Sequence, residues 1–274
     1  MRLRKSIVIA AVITVITGAS VAVHANRQPD GCAVSGYDRT VLDDGPVMYL
    51  PLGADDHDCP GADTLRQVGE AAPGTLPNGD AALVFDGVSQ YAEVGDTAQL
   101  SVATTGSLTI EAWLRPDTLQ FPRAEGAGYV HWLAKGEADQ QEYVARMYSQ
   151  LNGEGRPNRL SGYAFNAAGG FGVGSYAQEP VTVGEWIHYG LVITTDRSPG
   201  NLMGHTALVV NGVRRDQDSL AELRIRPADG DAPLRIGGNL HSFFHGAIGK
   251  VAIYDRALTA LELAEHHEAM GAAS

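Results

Sequence analysis

Leu108-Thr109-Ile110-Glu111-Ala112-Trp113-Leu114-Arg115 alternates with a period of two until Pro116 stops it. An extended chain sends Leu108, Ile110, Ala112 and Leu114 to one face and Thr109, Glu111, Trp113 and Arg115 to the other, the mark of a half-buried strand. Further strand runs lie at 47–52, 83–85, 91–94, 129–134, 143–148, 160–165, 186–194, 206–210, 234–236 and 247–254. Turn formers separate them: Pro73-Gly74, Asn78-Gly79, Gly169-Gly170 and Ser198-Pro199-Gly200. Val210-Asn211-Gly212-Val213 predicts a tight hairpin, because Asn-Gly accepts positive φ at both turn positions. With no amphipathic helix between strands, the expected fold is an all-β antiparallel sandwich. The convincing helix is the last element, where Thr259 and Glu262 form a capping box and Gly271 follows Met270 as the stop.

Glycine supplies 33 of the 274 residues, as a chain of short strands and many turns requires. The charge balance is 20 Lys+Arg against 32 Asp+Glu, a net −12. Nucleic acid is therefore excluded as a partner, since neutralising phosphates needs a basic face.

Residues 1–25 read as a signal peptide. Arg2, Arg4 and Lys5 lead an apolar run at 7–16, and Val23-His24-Ala25 offers a small residue for cleavage after Ala25. Cleavage removes those three positive charges and no negative ones, leaving −15 and no membrane span. An uncleaved N-terminal anchor is the alternative, although 7–23 falls just short of a comfortable span. In an exported chain the remaining pair, Cys32 and Cys59, is expected to form one disulfide worth about 3–4 kcal/mol. His57 lies near Cys59, but a metal site there lacks a fourth ligand. The expected division is a signal peptide at 1–25, a disulfide-tethered lead-in at 26–45 and a sandwich domain at 46–274.

Several strands carry recognisable words. Ala82-Leu83-Val84-Phe85-Asp86-Gly87 with Tyr91-Ala92-Glu93-Val94 resembles the opening of laminin-G-like (LamG) jelly rolls of the concanavalin A-like lectin/glucanase type. Ser107-Leu108-Thr109-Ile110-Glu111-Ala112-Trp113 is similar to that family's second signature, and Trp186-Ile187-His188-Tyr189 to its central strand. Phe244-His245-Gly246-Ala247-Ile248, followed by Val251-Ala252-Ile253-Tyr254-Asp255, resembles its exit strand. Val41-Leu42-Asp43-Asp44-Gly45-Pro46-Val47-Met48-Tyr49 resembles its lead-in strand. The resemblance implies a two-sheet jelly roll, secretion, and binding of extracellular glycans or proteins, with Ca²⁺ as a cofactor of some members.

Asp86 occupies the resemblance's Phe-Asp-Gly position and is the candidate Ca²⁺ ligand, set against Asp as an ordinary turn acceptor before Gly. Lys250 stands where many members carry an acid, and an ammonium there would repel calcium. The stretch 129–176 mixes aromatic and planar polar side chains as a sugar surface requires. Its candidates are Trp132, Lys135, Arg146, Tyr148, Arg156, Asn158, Asn166 and Tyr176, against the alternative that aromatics such as Trp132 and Tyr163 fill the core. Alternation places Val144, Arg146 and Tyr148 on one face. Arg156 and its neighbours suit an acidic sugar. His241 and His245 could share a strand face but lack a third metal ligand, and His266 and His267 read as a solvated helix face.

Catalysis has little support. Glucanases on this scaffold set two carboxylates about 5–5.5 Å apart on one strand, and here Glu111 stands alone. Trp186-Ile187-His188 matches the lyase pattern Gln-Ile-His without its glutamine, and there is no Gly-x-Ser-x-Gly elbow. The expected function is a secreted, non-catalytic ligand-binding module, with carbohydrate as its ligand. The alternatives are an extracellular protein–protein adhesion module and a polysaccharide lyase or hydrolase.

Overall fold

The period-two runs pair into antiparallel sheets in a computed structural model that describes residues 32, 35–53, 59–166, 169–195, 203–227, 229–239 and 241–271. The expected signal segment 1–25, the start of the lead-in and His57 lie outside the described residues. The chain opens with α1 (Gly36–Asp43) and β1 (Met48–Leu50), then β2 (Arg66–Val68), β3 (Ala72–Thr75), β4 (Ala81–Asp86) and β5 (Tyr91–Val94). A short α2 (Val102–Thr105) leads into β6 (Ser107–Pro116), β7 (Tyr129–Glu137), β8 (Gln140–Tyr148) and β9 (Leu160–Ala164). Next come β10 (Val173–Tyr176), β11 (Ile187–Thr194), β12 (His205–Val210), β13 (Val213–Ser219) and β14 (Leu234–Ile236). The short β15 (Gly238–Asn239) and β16 (Ser242–Phe243), the long β17 (His245–Tyr254) and α3 (Ala260–Ala269) complete it.

Among the described residues the first large sheet has the order β13-β12-β11-β6-β17-β4-β3, with β1 also on β17. The second has the order β10-β9-β8-β7-β14-β5-β2. Their facing sides make one core, in which Trp132 of β7 meets Tyr189 of β11 edge-on, ring centres 4.7 Å apart. This is the jelly-roll sandwich that the alternation implies. The Val210–Val213 hairpin closes with Asn211 at φ 50° and Gly212 at φ 72°. The disulfide joins Cys32 to Cys59, as expected of this pair. No helix of the described residues is long and apolar enough to cross a membrane.

Three sequence expectations are corrected. Strand β6 is buried on both faces rather than one. Its polar side is covered by α1, α3 and the segment between β17 and α3: Tyr37 donates to Glu111, Leu258 N–H donates to Thr109 Oγ1, and His267 stacks on Trp113. His266 is accordingly a buried residue of that layer, not part of a solvated face. The third correction concerns residues 41–43, which close α1 instead of opening a strand. The Ser35/Asp38 capping box and the apolar positions Tyr37, Val41 and Leu42 explain the helix.

Sheet packing is close where β9 crosses the core. A Cβ on Gly162 would lie 2.5 Å from the Leu191 methyls and 2.6 Å from Tyr189 Oη. Gly162→Ala should therefore destabilise the protein by about 1–3 kcal/mol through overpacking, measured by denaturant titration. An unchanged midpoint would mean that the sheets separate freely at this point.

Candidate functional site

Strands β7, β8 and β9 turn their outward side chains onto the solvent face of the second sheet. Register places His131 opposite Arg146, Tyr129 opposite Tyr148, and Arg146 opposite Ser161. Tyr129, His131, Arg146 and Tyr163 of these strands, with Glu125 before β7, Glu154 and Arg156 between β8 and β9, and Phe171 before β10, line a groove of about 530 Å³. Phe171 is 89% exposed on its rim.

The groove floor is organised around Arg146. Its guanidinium lies 4.2 Å from the Tyr129 ring centre and 3.9 Å from that of Tyr163, a two-sided cation–π clamp. Its Nε donates to Ser161 Oγ and its Nη2 to Tyr148 Oη, each at 3.2 Å. Arg156 stacks on Tyr176 at 4.2 Å and donates from Nη1 to Tyr148 Oη and Tyr163 Oη, at 3.2 and 3.1 Å. The two phenol oxygens are 3.0 Å apart. Burial raises the Tyr148 phenol, but Arg146 first, then Tyr163 and Arg156, bring it below its ordinary value. Burial pushes Tyr163 the other way, up to about 12. Both arginines are thus fixed in place with donor groups left over, a rigid polar floor between aromatic walls.

The wall acids face protein partners. Glu154 accepts from Tyr129 Oη, and Glu125 approaches His131 Nδ1 at 3.3 Å. Burial lowers the His131 pKa, so its imidazole is neutral at pH 7.

Of the residues expected at a ligand surface, Arg146, Tyr148, Arg156 and Tyr176 come together here. Tyr148 is buried beneath the arginines and holds them by its hydroxyl. Trp132 and Lys135 do not belong to the groove. A bulge between His131 and Leu133 makes Trp132 the extra residue of β7, and it turns into the core with Leu133. Lys135 is fully buried, its Nζ held by Asp96 at 2.7 Å, by Glu142, and by the Gly230 carbonyl. Asn158 and Asn166 shape loops without lining the groove. Asn158 takes φ 61° and donates its N–H to the Tyr148 carbonyl, while Asn166 Oδ1 accepts from Arg226 N–H.

Asp86 serves its own turn: Oδ1 accepts the N–H groups of Val88, Ser89 and Gln90. Those bonds hold its carboxyl below the usual range against the effect of burial. Among the described residues no three His, Cys, Asp or Glu side chains cluster to hold a metal ion, His241 and His245 included. His131 and Tyr163, both of the aromatic-polar stretch 129–176, line the groove too, together with Tyr129, Glu125, Glu154 and Phe171, which the sequence alone does not single out as candidates; Ser161 is buried and holds Arg146. Tyr163 and Ser161 were accessible through alternation from Gly162, had the β8–β9 register been known.

The family model described as the concanavalin A-like lectin/glucanases superfamily matches residues 86–264. No curated protein matches the chain. Among solved structures, domain 4 of AbnA, a GH43 extracellular arabinanase from Geobacillus stearothermophilus in complex with arabinotriose, superposes with a TM-score of 0.56. The two share 15% identity over 81% of this chain and 98% of that one. The binding domain of botulinum neurotoxin DC in complex with SialylT gives 0.58 at 12% identity, over 84% of this chain and 52% of that one. The binding domain of Paraclostridial Mosquitocidal Protein 1 gives 0.59 at 16% identity, over 82% and 52%. The chain thus spans about half the length of the toxin binding domains. At these identities the likeness is one of fold.

Proposed function

This chain belongs to the concanavalin A-like lectin/glucanases superfamily, and we propose that it is an exported, non-catalytic module that binds glycans in the groove on its second sheet. The observation that carries this reading is the groove itself: the exposed Phe171 ring and the half-buried Tyr129 and Tyr163 beside fixed guanidinium donors. Sugar rings offer C–H faces to aromatic walls and hydroxyls to planar donors, and a prearranged floor lowers the entropic cost of binding. Two structures of the same fold carry an arabinotriose and a SialylT ligand, which supports a sugar as the ligand class. The leader at 1–25, with cleavage after Ala25, and the Cys32–Cys59 disulfide support export to an oxidising compartment.

A glycan array of neutral and acidic oligosaccharides tests the reading, and silence across it would turn attention to a protein partner. Phe171→Ala should weaken the strongest array hit about tenfold, near 1.4 kcal/mol, with the melting temperature unchanged. Undiminished affinity would place the sugar elsewhere.

A further inference from the structure

Buried cations in a folded protein need a counter-charge. Among the described residues the buried basic side chains other than histidine are Lys135, Arg146 and Lys250. Lys135 touches Asp96 and Glu142, and Lys250 touches Asp38 and Asp80. Arg146 is also buried, 8% exposed, and pairs with no carboxylate of the described residues; its fixed partners are a serine hydroxyl, a phenol and two aromatic faces. Beside it Arg156 donates to the same Tyr148 oxygen and also pairs with no carboxylate. Two guanidiniums meeting at one phenol repel each other, in a chain whose net charge is −12 and which has acids to spare. The acids that line the groove, Glu125 and Glu154, are directed at His131 and Tyr129 instead.

We infer that Arg146 and Arg156 form the anion subsite of this groove, and that its ligand is a sugar bearing a carboxylate, the oxyanion lying across the unused guanidinium edges. The inference rests on the glycan reading above and narrows it. A planar carboxylate matches the fork of a guanidinium in a way a hydroxyl does not. Nη1 of Arg146 makes no hydrogen bond to a protein group among the described residues, and neither do Nη2 and Nε of Arg156. Glu125 and Glu154 limit the charge the groove tolerates. They disfavour densely sulfated or phosphorylated chains and leave room for one carboxylate held between aromatic walls. That carboxylate can belong to a uronic acid within a chain or to a terminal sialic acid.

Calorimetric titration of the whole protein separates these cases. The probes are a galacturonate trisaccharide against its methyl ester, and 3′-sialyllactose against lactose. At least one acid should bind about thirtyfold or more tightly than its neutral counterpart, and 0.5 M NaCl should erode that preference. Which pair responds identifies the source of the carboxylate. Arg146→Gln and the more accessible Arg156→Gln should each lower affinity for the acid far more than for its neutral counterpart and so remove the preference, whereas an equal loss for both sugars would overturn the anion subsite. Should Arg146→Gln fail to fold, Arg156→Gln carries the test. Neutral sugars binding as well as acids would overturn the anion subsite and spare the glycan reading. No binding to any probe, together with a silent array, would overturn both.

Discussion

Glu111→Ala should cost the fold about 3–5 kcal/mol, the range for leaving a buried polar network without its charge. Glu111 is fully buried in the middle of β6 and accepts four hydrogen bonds. Tyr37 and His188 Nε2 reach Oε1 at 2.9 and 2.8 Å, while Tyr254 and His266 Nδ1 reach Oε2 at 3.1 and 2.8 Å. These donors come from α1, β11, β17 and α3, so one carboxylate ties both helices to the first sheet. Alanine would strand all four donors at once. Burial alone would raise the Glu111 pKa; hydrogen bonds from His188 and His266 reverse this and hold it far below the usual carboxylate range.

His266 gives the same network a pH signature. Burial lowers its pKa, but Glu111 and then Asp44, at 3.0 Å from Nε2, raise it above the ordinary value. A raised folded pKa contributes stability that is complete below the unfolded value, about 6.5, and is lost as pH rises through the folded value. Wild-type stability should therefore decline as pH rises above about 6.5 through the raised folded value, and Glu111→Ala should flatten that decline. Thermal melts between pH 5.5 and 9 measure both effects. Equal slopes in the two proteins would show that His266 does not draw its charge from Glu111.

This network marks where the sequence ceased to be readable. Alternation in β6 located Glu111 on a strand, but alternation is a local property. It cannot say that α1 and α3 fold back over the polar face, so Glu111 read as half of a missing catalytic pair and His266 as solvated. The groove shows the same division. Arg146 and Tyr148 were legible because strand geometry alone puts residues two apart on one face. Trp132 and Lys135 were not, because a bulge shifts the period within β7 and because the acids that bury Lys135 lie at positions 96 and 142. Hairpins and caps depend on nearby residues and could be read directly, and the disulfide followed from there being a single pair of cysteines. Long-range pairing of charges could not.

Lys250→Met is the second substitution expected to be severe, at about 3–5 kcal/mol near pH 7, because it removes the cation and keeps the acids. Lys250 sits at the bulge of β17 with φ 54°, a conformation that departs from the strand and turns its side chain beneath α1. Nζ lies 2.6 Å from Asp38 Oδ1 and 2.7 Å from Asp80 Oδ2, and Asp38 also accepts from Tyr49 and Ser35. An ammonium thus neutralises two converging carboxylates, joining α1, β17 and the turn before β4. Burial raises the Asp80 pKa, but its hydrogen bond to Lys250, followed by Ser35, leaves it lowered overall. A lowered carboxylate pKa gives stability that is present above the unfolded value of about 3.9 and lost as pH falls through the folded one. Without the lysine the carboxylates repel each other and take up protons more readily, so acid should relieve the variant while it weakens the wild type. The deficit measured by urea titration should be largest at pH 7 and shrink toward pH 4. A deficit that stays constant between those values would assign the loss to packing of the methylene stem rather than to the uncompensated charges.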